Sequence, residues 1–285
     1  MASLKENNLS SSAEILKRQK GKPIIYVEGE SDKKIFENYW FVDYLEKVSF
    51  SIVQQTQGCG AVVQRVAADR TVGIDAFGIV DRDKLMGDRN WTLLRETDDG
   101  IFESSPPYPK IKVTLRWELE SYLIDPVAVE SYLAPACGGR AERPIAEVID
   151  ELLNHADALV LHAALNQSFH MNGKKAPGDG FTNLDDRSVV DERIVNNIFP
   201  TASAQLVADF KSSVPAIDAF AGPAGTSPRQ RLDGLLRIIN GKAMLERIKK
   251  SGNITHDITY LIAKEVKRSG AIPIELLTFV QSCCT

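Results

Sequence analysis

Short apolar segments alternate with amphipathic ones through the first 80 residues, and this alternation restricts the chain to few folds. The segments Ile24–Val27 and Ala76–Val80 are almost wholly apolar, which is typical of strands buried on both faces. Between them, Val48–Val53 alternates apolar and polar residues and predicts another strand. Helices are predicted over 31–40, capped by the Ser or Asp at its start, and over 61–69. Strands joined through helices favour right-handed crossovers, so we expect an α/β fold with a mostly parallel sheet flanked by helices.

The pattern changes after residue 84. Residues 84–110 are polar and predict an excursion from the sheet, with one strand near Thr92–Arg95. Lys112–Glu118 alternates and predicts a further strand. The predicted domains are therefore an N-terminal tail (1–21, with a short helix at 13–18), an α/β domain (22–126) and a mainly helical C-terminal region (127–285). The helices predicted in that last region are Val127–Leu133, Ala141–Ala164, Arg187–Ile198, Ser203–Phe220, Gln230–Ile239, Gly241–Lys250, Asp257–Lys267 and Ile274–Ser282.

Composition and missing motifs exclude several classes of protein. No apolar run approaches the roughly 20 residues that a membrane-spanning helix needs, and the N-terminus lacks a signal-peptide core. The 4 cysteines form no C-x-x-C pair, so we expect a cytoplasmic protein with reduced thiols and no membrane partner. No G-x-S-x-G, G-x-x-x-x-G-K-[ST] or G-x-G-x-x-G motif occurs, which leaves serine hydrolysis, P-loop nucleotide hydrolysis and Rossmann cofactor binding without support.

Charge is unevenly distributed along the chain. The segment 229–268 has ten Lys/Arg and four Asp/Glu, a charge of +6, so the rest carries −10 of the total of −4. Lys249 and Lys250 lie in this segment and are predicted to contact nucleic-acid phosphates. A solvated helix face, or docking to an acidic partner protein, would use the same residues.

Acidic residues follow two of the predicted strands. Glu28 comes directly after the first, and Asp81 and Asp83 come directly after Ala76–Val80. Because the carboxyl ends of parallel strands meet at one edge of a sheet, we expect these carboxylates within about 4–8 Å of one another, sharing a cation. Hard oxygen ligands favour Mg²⁺ or Mn²⁺. Asp32, one helical turn past Glu28, approaches from the same side.

These residues resemble those of the Toprim domain, the catalytic module of topoisomerases, bacterial primases and overcoming-lysogenization-defect nucleases. The family has a strand that ends in Glu-Gly and a later strand that ends in Asp-x-Asp, here VEGESD from Val27 and DRD at 81–83. The resemblance implies a Toprim-like sheet over 22–126 with Glu28, Asp81 and Asp83 as catalytic residues. It also implies metal binding by these three and Asp32, whose position resembles the nuclease branch. Glu28 as a general acid or base stays an alternative.

A second resemblance is to the AriB-type effector family of the PARIS anti-phage systems. It rests on RWELESYLIDP, NGKAMLERI and IPIELLTFV, with Ser121 where that family usually has Asn. The resemblance implies RNA, such as tRNA, as the substrate. The partners that it implies are nucleic acid and an ABC-type ATPase (AriA-like) regulator, and a homodimer is a further possibility.

Glu118 and Glu120, on the element after the Asp-x-Asp strand, are predicted to complete a second metal site, and the resemblance favours Glu120 as the ligand. Lys84, with Lys33 and Lys34, flanks the acids and is predicted to contact phosphate, whereas simple charge balance is the alternative for at least two of these lysines.

The prediction from sequence is therefore a metal-dependent endonuclease that acts as a toxic defence effector. Two alternatives stay open. One is a non-enzymatic Toprim-like scaffold that binds nucleic acid or a partner protein. The other is a nuclease of RNA maturation.

Overall fold

The computed structural model describes residues 21–53, 59–177 and 181–284. The predicted helix at 13–18 lies outside these residues. Contacts divide the chain into two units, the first comprising 1–80, 106–113 and 273–285, and the second comprising 81–105 and 114–272. Each unit is discontinuous in sequence, unlike the consecutive domains predicted above, and that predicted division stays a prediction.

The first unit contains a parallel sheet. Its strands are β1 (Ile24–Val27), β2 (Ser49–Ile52), β3 (Ala76–Val80) and β4 (Ile111–Val113), in the spatial order β2-β1-β3-β4. Every pairing between neighbours is parallel. The prediction of an α/β fold with a parallel sheet flanked by helices is confirmed.

The described helices are divided between the two units. The first unit holds α1, α2 and α14, and the second holds α3 to α13. A π-helical turn over 36–40 continues α1, and another over 194–198 continues α9. In chain order the described helices are α1 (Glu30–Ile35), α2 (Cys59–Thr71), α3 (Lys84–Gly87), α4 (Trp91–Leu94), α5 (Asp99–Ser104), α6 (Leu119–Tyr122), α7 (Pro126–Ala136), α8 (Ile145–Met171), α9 (Arg187–Arg193), α10 (Ala204–Asp218), α11 (Pro228–Leu235), α12 (Gly241–Ser251), α13 (Thr259–Arg268) and α14 (Ile274–Ser282).

Helix α2 packs closely against the sheet of the first unit. A Cβ atom at Gly78 of β3 would lie 2.8 Å from Val62 Cγ1, so the approach of helix and strand requires glycine there. The Tyr26 hydroxyl of β1 donates a hydrogen bond to Asp69 Oδ2 of α2 at 2.7 Å. Burial, assisted by the Asp69 carboxylate, raises the pKa of Tyr26 to about 12. These contacts fix the helix that follows β2 onto the strand that precedes Glu28.

Two strand predictions are wrong in whole or in part. Thr92–Arg95 is not a strand, because α4 occupies 91–94 and the Asn90 side chain caps it by accepting from the Leu93 amide. The strand predicted over 112–118 ends at Val113. Thr114 Oγ1 accepts a hydrogen bond from the Arg82 amide and donates one to Arg116 O, so the chain turns there.

A buried carboxylate joins α7 to the start of α8 in the second unit. The Glu130 side chain is 1% exposed and forms ion pairs with Arg140 and Arg143. It also accepts a hydrogen bond from the Arg143 backbone amide at 2.7 Å. Burial alone would raise the pKa of Glu130, but the two arginines outweigh burial and lower it to about 2.

We expect Glu130→Gln to lower the free energy of unfolding by about 3 kcal/mol at neutral pH, because two arginines lose a buried partner. The folded-state pKa of Glu130 lies below its ordinary value of 4.5, so the carboxylate stabilises the fold above that value and loses the effect as the pH falls toward 2. The free energies of unfolding of wild type and variant, measured in urea, should therefore become equal as the pH falls toward 2. The exposed neighbour Glu142 supplies the control, since Glu142→Gln should change stability little at any pH. An equal difference between Glu130→Gln and wild type at all pH values would contradict the ion-pair account.

Of the helices in the described part of the chain, none combines the length and the apolar character needed to cross a membrane.

Candidate acidic site

The acids predicted from sequence follow neighbouring strands of the sheet. Strands β1 and β3 pair in parallel, with Ile24 opposite Ala76, so their carboxyl ends lie at the same edge. Glu28 is the residue after β1, and Asp81 is the residue after β3. The sheet order thus satisfies the topological condition on which the predicted site depends. The spacing of about 4–8 Å between these carboxylates stays a prediction.

In the first unit, Glu28 lies beside a cysteine. The Cys59 thiol, at the first residue of α2, donates a hydrogen bond to Glu28 Oε1 at 2.7 Å. No sequence pattern predicts this pair, because the two residues are far apart along the chain. Asp32 Oδ2 accepts a hydrogen bond from the Gly29 amide at 3.1 Å, and Gly29 is the residue that caps α1. The predicted cap at Ser31 or Asp32 is therefore wrong, and Asp32 helps to close the helix start from its third position.

In the second unit, backbone groups hold the Asp-Arg-Asp segment. Asp81 Oδ1 accepts a hydrogen bond from the Leu119 amide at 3.1 Å, at the start of α6. The Asp83 amide donates to Trp117 O at 3.4 Å, and Asp83 itself caps α3. Lys84, predicted to contact phosphate, forms an ion pair with Asp88 one turn further along.

Arg82, between the two aspartates, is fully buried. Its guanidinium donates hydrogen bonds to the backbone carbonyls of four residues: Leu93, Leu94, Glu96 and Leu115. The guanidinium also lies over the Phe102 ring, 4.2 Å from its centroid, and near the Phe220 ring at 5.3 Å. The middle residue of the motif therefore anchors the segment that carries Asp81 and Asp83.

The acids of the next element are paired with a lysine. Lys242 Nζ lies 2.9 Å from Glu118 Oε2 and 3.5 Å from Glu120 Oε2. The Lys242 backbone amide also donates to Glu118 Oε1 at 2.8 Å. Partial desolvation would lower the pKa of Lys242, but the carboxylates of Glu118, Glu120 and Asp81 outweigh it and raise that pKa. Glu118 and Glu120 thus already have a cationic partner within the chain.

The Asn-Gly-Lys segment places this lysine. Asn240 Oδ1 accepts from the Ala243 amide at 2.7 Å and caps α12. A Cβ atom at Gly241 would lie 2.4 Å from the Ser121 backbone nitrogen, so only glycine lets the start of α12 approach α6 this closely. Lys242 follows and reaches both glutamates. The NGK segment is recognisable in the sequence, but the partners of Lys242 are not.

Much of the basic segment is engaged within the chain. Lys249 pairs with Glu246 at 2.8 Å, and Lys250 Nζ donates to Thr182 Oγ1 at 3.1 Å. Arg247 is buried and donates to backbone carbonyls in the 181–185 segment. Further ion pairs of this segment are Arg229 with Asp125 and Asp233, Arg237 with Asp99, and Arg268 with Glu265. A role of Lys249 and Lys250 in binding nucleic acid stays a prediction.

The chemistry of the donor groups separates the predicted metal ligands into two sets. Glu28, Asp81 and Asp83 offer carboxylate oxygens directly after neighbouring strands, and such hard donors suit Mg²⁺ or Mn²⁺. Asp32 is engaged by the Gly29 amide and Glu120 by the Lys242 ammonium. The donor types of the first set are those that a divalent ion prefers, whereas Glu120 already has a cationic partner. Metal binding by any of these residues stays a prediction.

Comparison of the chain with protein-family models, with curated proteins and with solved structures gives no match. Function is therefore inferred from the residues and from their geometry.

Proposed function

We propose that the chain is a metal-dependent endonuclease with a Toprim-like α/β fold that cleaves RNA, with tRNA as the first candidate substrate. One observation carries the proposal: β1 and β3 are parallel neighbours, and Glu28 and the pair Asp81 and Asp83 follow them directly. Gathering carboxylates at one sheet edge is unfavourable unless a cation neutralises them, which supports a metal-dependent enzyme over a scaffold.

In this proposal Glu28, Asp81 and Asp83 hold one Mg²⁺ or Mn²⁺ ion. When bound, the ion polarises the phosphodiester and stabilises the leaving oxygen. The residues of the chain position the ion and the substrate. The Leu119 amide orients the Asp81 carboxylate, and buried Arg82 holds the backbone between the two aspartates.

The biological setting that we propose is anti-phage defence in the cytoplasm. The sequence has no P-loop motif, so ATP hydrolysis in such a system would come from an ABC-type ATPase partner. Homodimer formation belongs to the same proposal.

The test is expression of wild type and of Glu28→Ala, followed by sequencing of cellular RNA 5′ and 3′ ends. We expect new RNA ends with wild type and none with Glu28→Ala. Glu30→Ala is the matched control, because Glu30 is an exposed glutamate two residues away and should leave cleavage intact. If neither wild type nor Glu28→Ala produces new RNA ends, the scaffold alternative is favoured. If both produce the same new ends, Glu28 is not a catalytic residue. New ends confined to the termini of mature RNAs would favour the RNA-maturation alternative.

A further inference from the structure

The acidic pair Glu118 and Glu120 already has a cationic partner within the chain. Glu118 and Glu120 have side chains that are only 5% and 10% exposed, so their charges need a partner. Lys242 supplies it through an ammonium at 2.9 Å and 3.5 Å from the two carboxylates. One ammonium thus lies within ion-pair distance of both carboxylates.

The placement of this lysine is built into the local structure. Gly241 brings the start of α12 against the backbone of Ser121, and the Lys242 amide donates to Glu118 Oε1. Glu118 is therefore held by both the backbone and the side chain of one residue.

We propose that the Lys242 ammonium takes the place of a second metal ion at Glu118 and Glu120, so that these acids are closed to divalent cations in the wild-type chain. This inference rests on the proposed function, because it concerns the same acidic site. It makes Lys242 a positioning residue: its charge fixes α6, whose first amide orients Asp81. The site then works with one exchangeable ion.

The test is the number of Mn²⁺ ions bound per full-length chain, measured at neutral pH by equilibrium dialysis and by the loss of the free Mn²⁺ electron paramagnetic resonance signal. We expect Lys242→Met to bind one Mn²⁺ ion more than wild type, because two nearly buried carboxylates lose their cation. Lys242→Arg keeps the charge and should bind the same number as wild type. Lys250→Met is the matched control on the same helix, since the Lys250 ammonium contacts Thr182 and Asn183 rather than a carboxylate.

A second substitution locates the additional ion. The double variant Lys242→Met/Glu120→Gln should return to the wild-type count. A folded Lys242→Met that binds no additional ion would overturn the inference. If Lys242→Met does not fold, Glu120→Gln alone decides: an unchanged Mn²⁺ count supports the inference, and the loss of one ion overturns it.

These outcomes are separable from those of the proposed function. Wild type without any bound Mn²⁺ would contradict the metal site at Glu28, Asp81 and Asp83. The difference between Lys242→Met and wild type would still decide whether Lys242 closes the second acidic pair.

Discussion

Asp83→Asn is expected to reduce RNA cleavage by about a thousand-fold, because in the proposed site it removes one metal ligand and with it several kcal/mol of transition-state stabilisation. Thermal stability should stay equal or rise. Asp83 caps α3 without a side-chain hydrogen bond to the helix, and asparagine is as good a cap as aspartate. In the proposed site the substitution also removes one of several like charges, which should not oppose folding.

The measurement is single-turnover cleavage of purified tRNA in Mg²⁺, together with the midpoint of thermal unfolding. Asp98→Asn is a matched control, because Asp98 also caps a short helix and its side chain accepts from the Ile101 amide. That control should retain cleavage and stability. A collapse in the stability of Asp83→Asn would indicate a structural role instead, and retained cleavage would exclude Asp83 as a metal ligand.

The sheet could be predicted because its strands carry their signal locally. Ile24–Val27 and Ala76–Val80 are apolar runs that end at acids, and the structure has strands over these same residues. Ile274–Ser282 is likewise a helix over the predicted residues. The strand predicted near Thr92–Arg95 is wrong because a short run with a β-branched residue is compatible with either a strand or a helix. The Asn90 cap stabilises the helix that forms there. The strand predicted over 112–118 is too long because the hydrogen bond from the Arg82 amide to Thr114, a residue distant in sequence, ends the strand at Val113.

The candidate site was predictable only in part, for the same reason. Acids at strand ends are visible in the sequence, since strand and acid are adjacent. The pairing of Glu120 with Lys242 joins residues more than a hundred positions apart, so sequence pattern cannot distinguish a metal ligand from one side of an ion pair. The contact between Cys59 and Glu28 was also missed, because these residues are 31 positions apart in the sequence. From the sequence, Arg82 is an ordinary charged residue between two aspartates, but in the structure it is fully buried.

Arg82 has the largest expected effect on stability. Its guanidinium donates to Glu96 O at 2.6 Å, Leu115 O at 2.9 Å and Leu94 O at 3.0 Å. Arginine suits this place because its planar fork can serve several carbonyls at once while it stacks on an aromatic ring. Lysine keeps the charge but cannot reproduce the fork. Alanine would remove these hydrogen bonds and leave a cavity beside Phe102 and Phe220.

We therefore expect Arg82→Ala to lower the free energy of unfolding by about 4 kcal/mol, and Arg82→Lys by about half as much, in urea titrations of the full chain. Arg268→Ala is the control: that arginine is 65% exposed and pairs only locally with Glu265, so the change should be within about 0.5 kcal/mol. Because Arg82 holds the backbone between Asp81 and Asp83, Arg82→Lys should also weaken Mn²⁺ binding while the chain remains folded. A folded Arg82→Lys with wild-type Mn²⁺ affinity would restrict Arg82 to a role in stability, and an Arg82→Ala as stable as the Arg268→Ala control would contradict the anchoring role altogether.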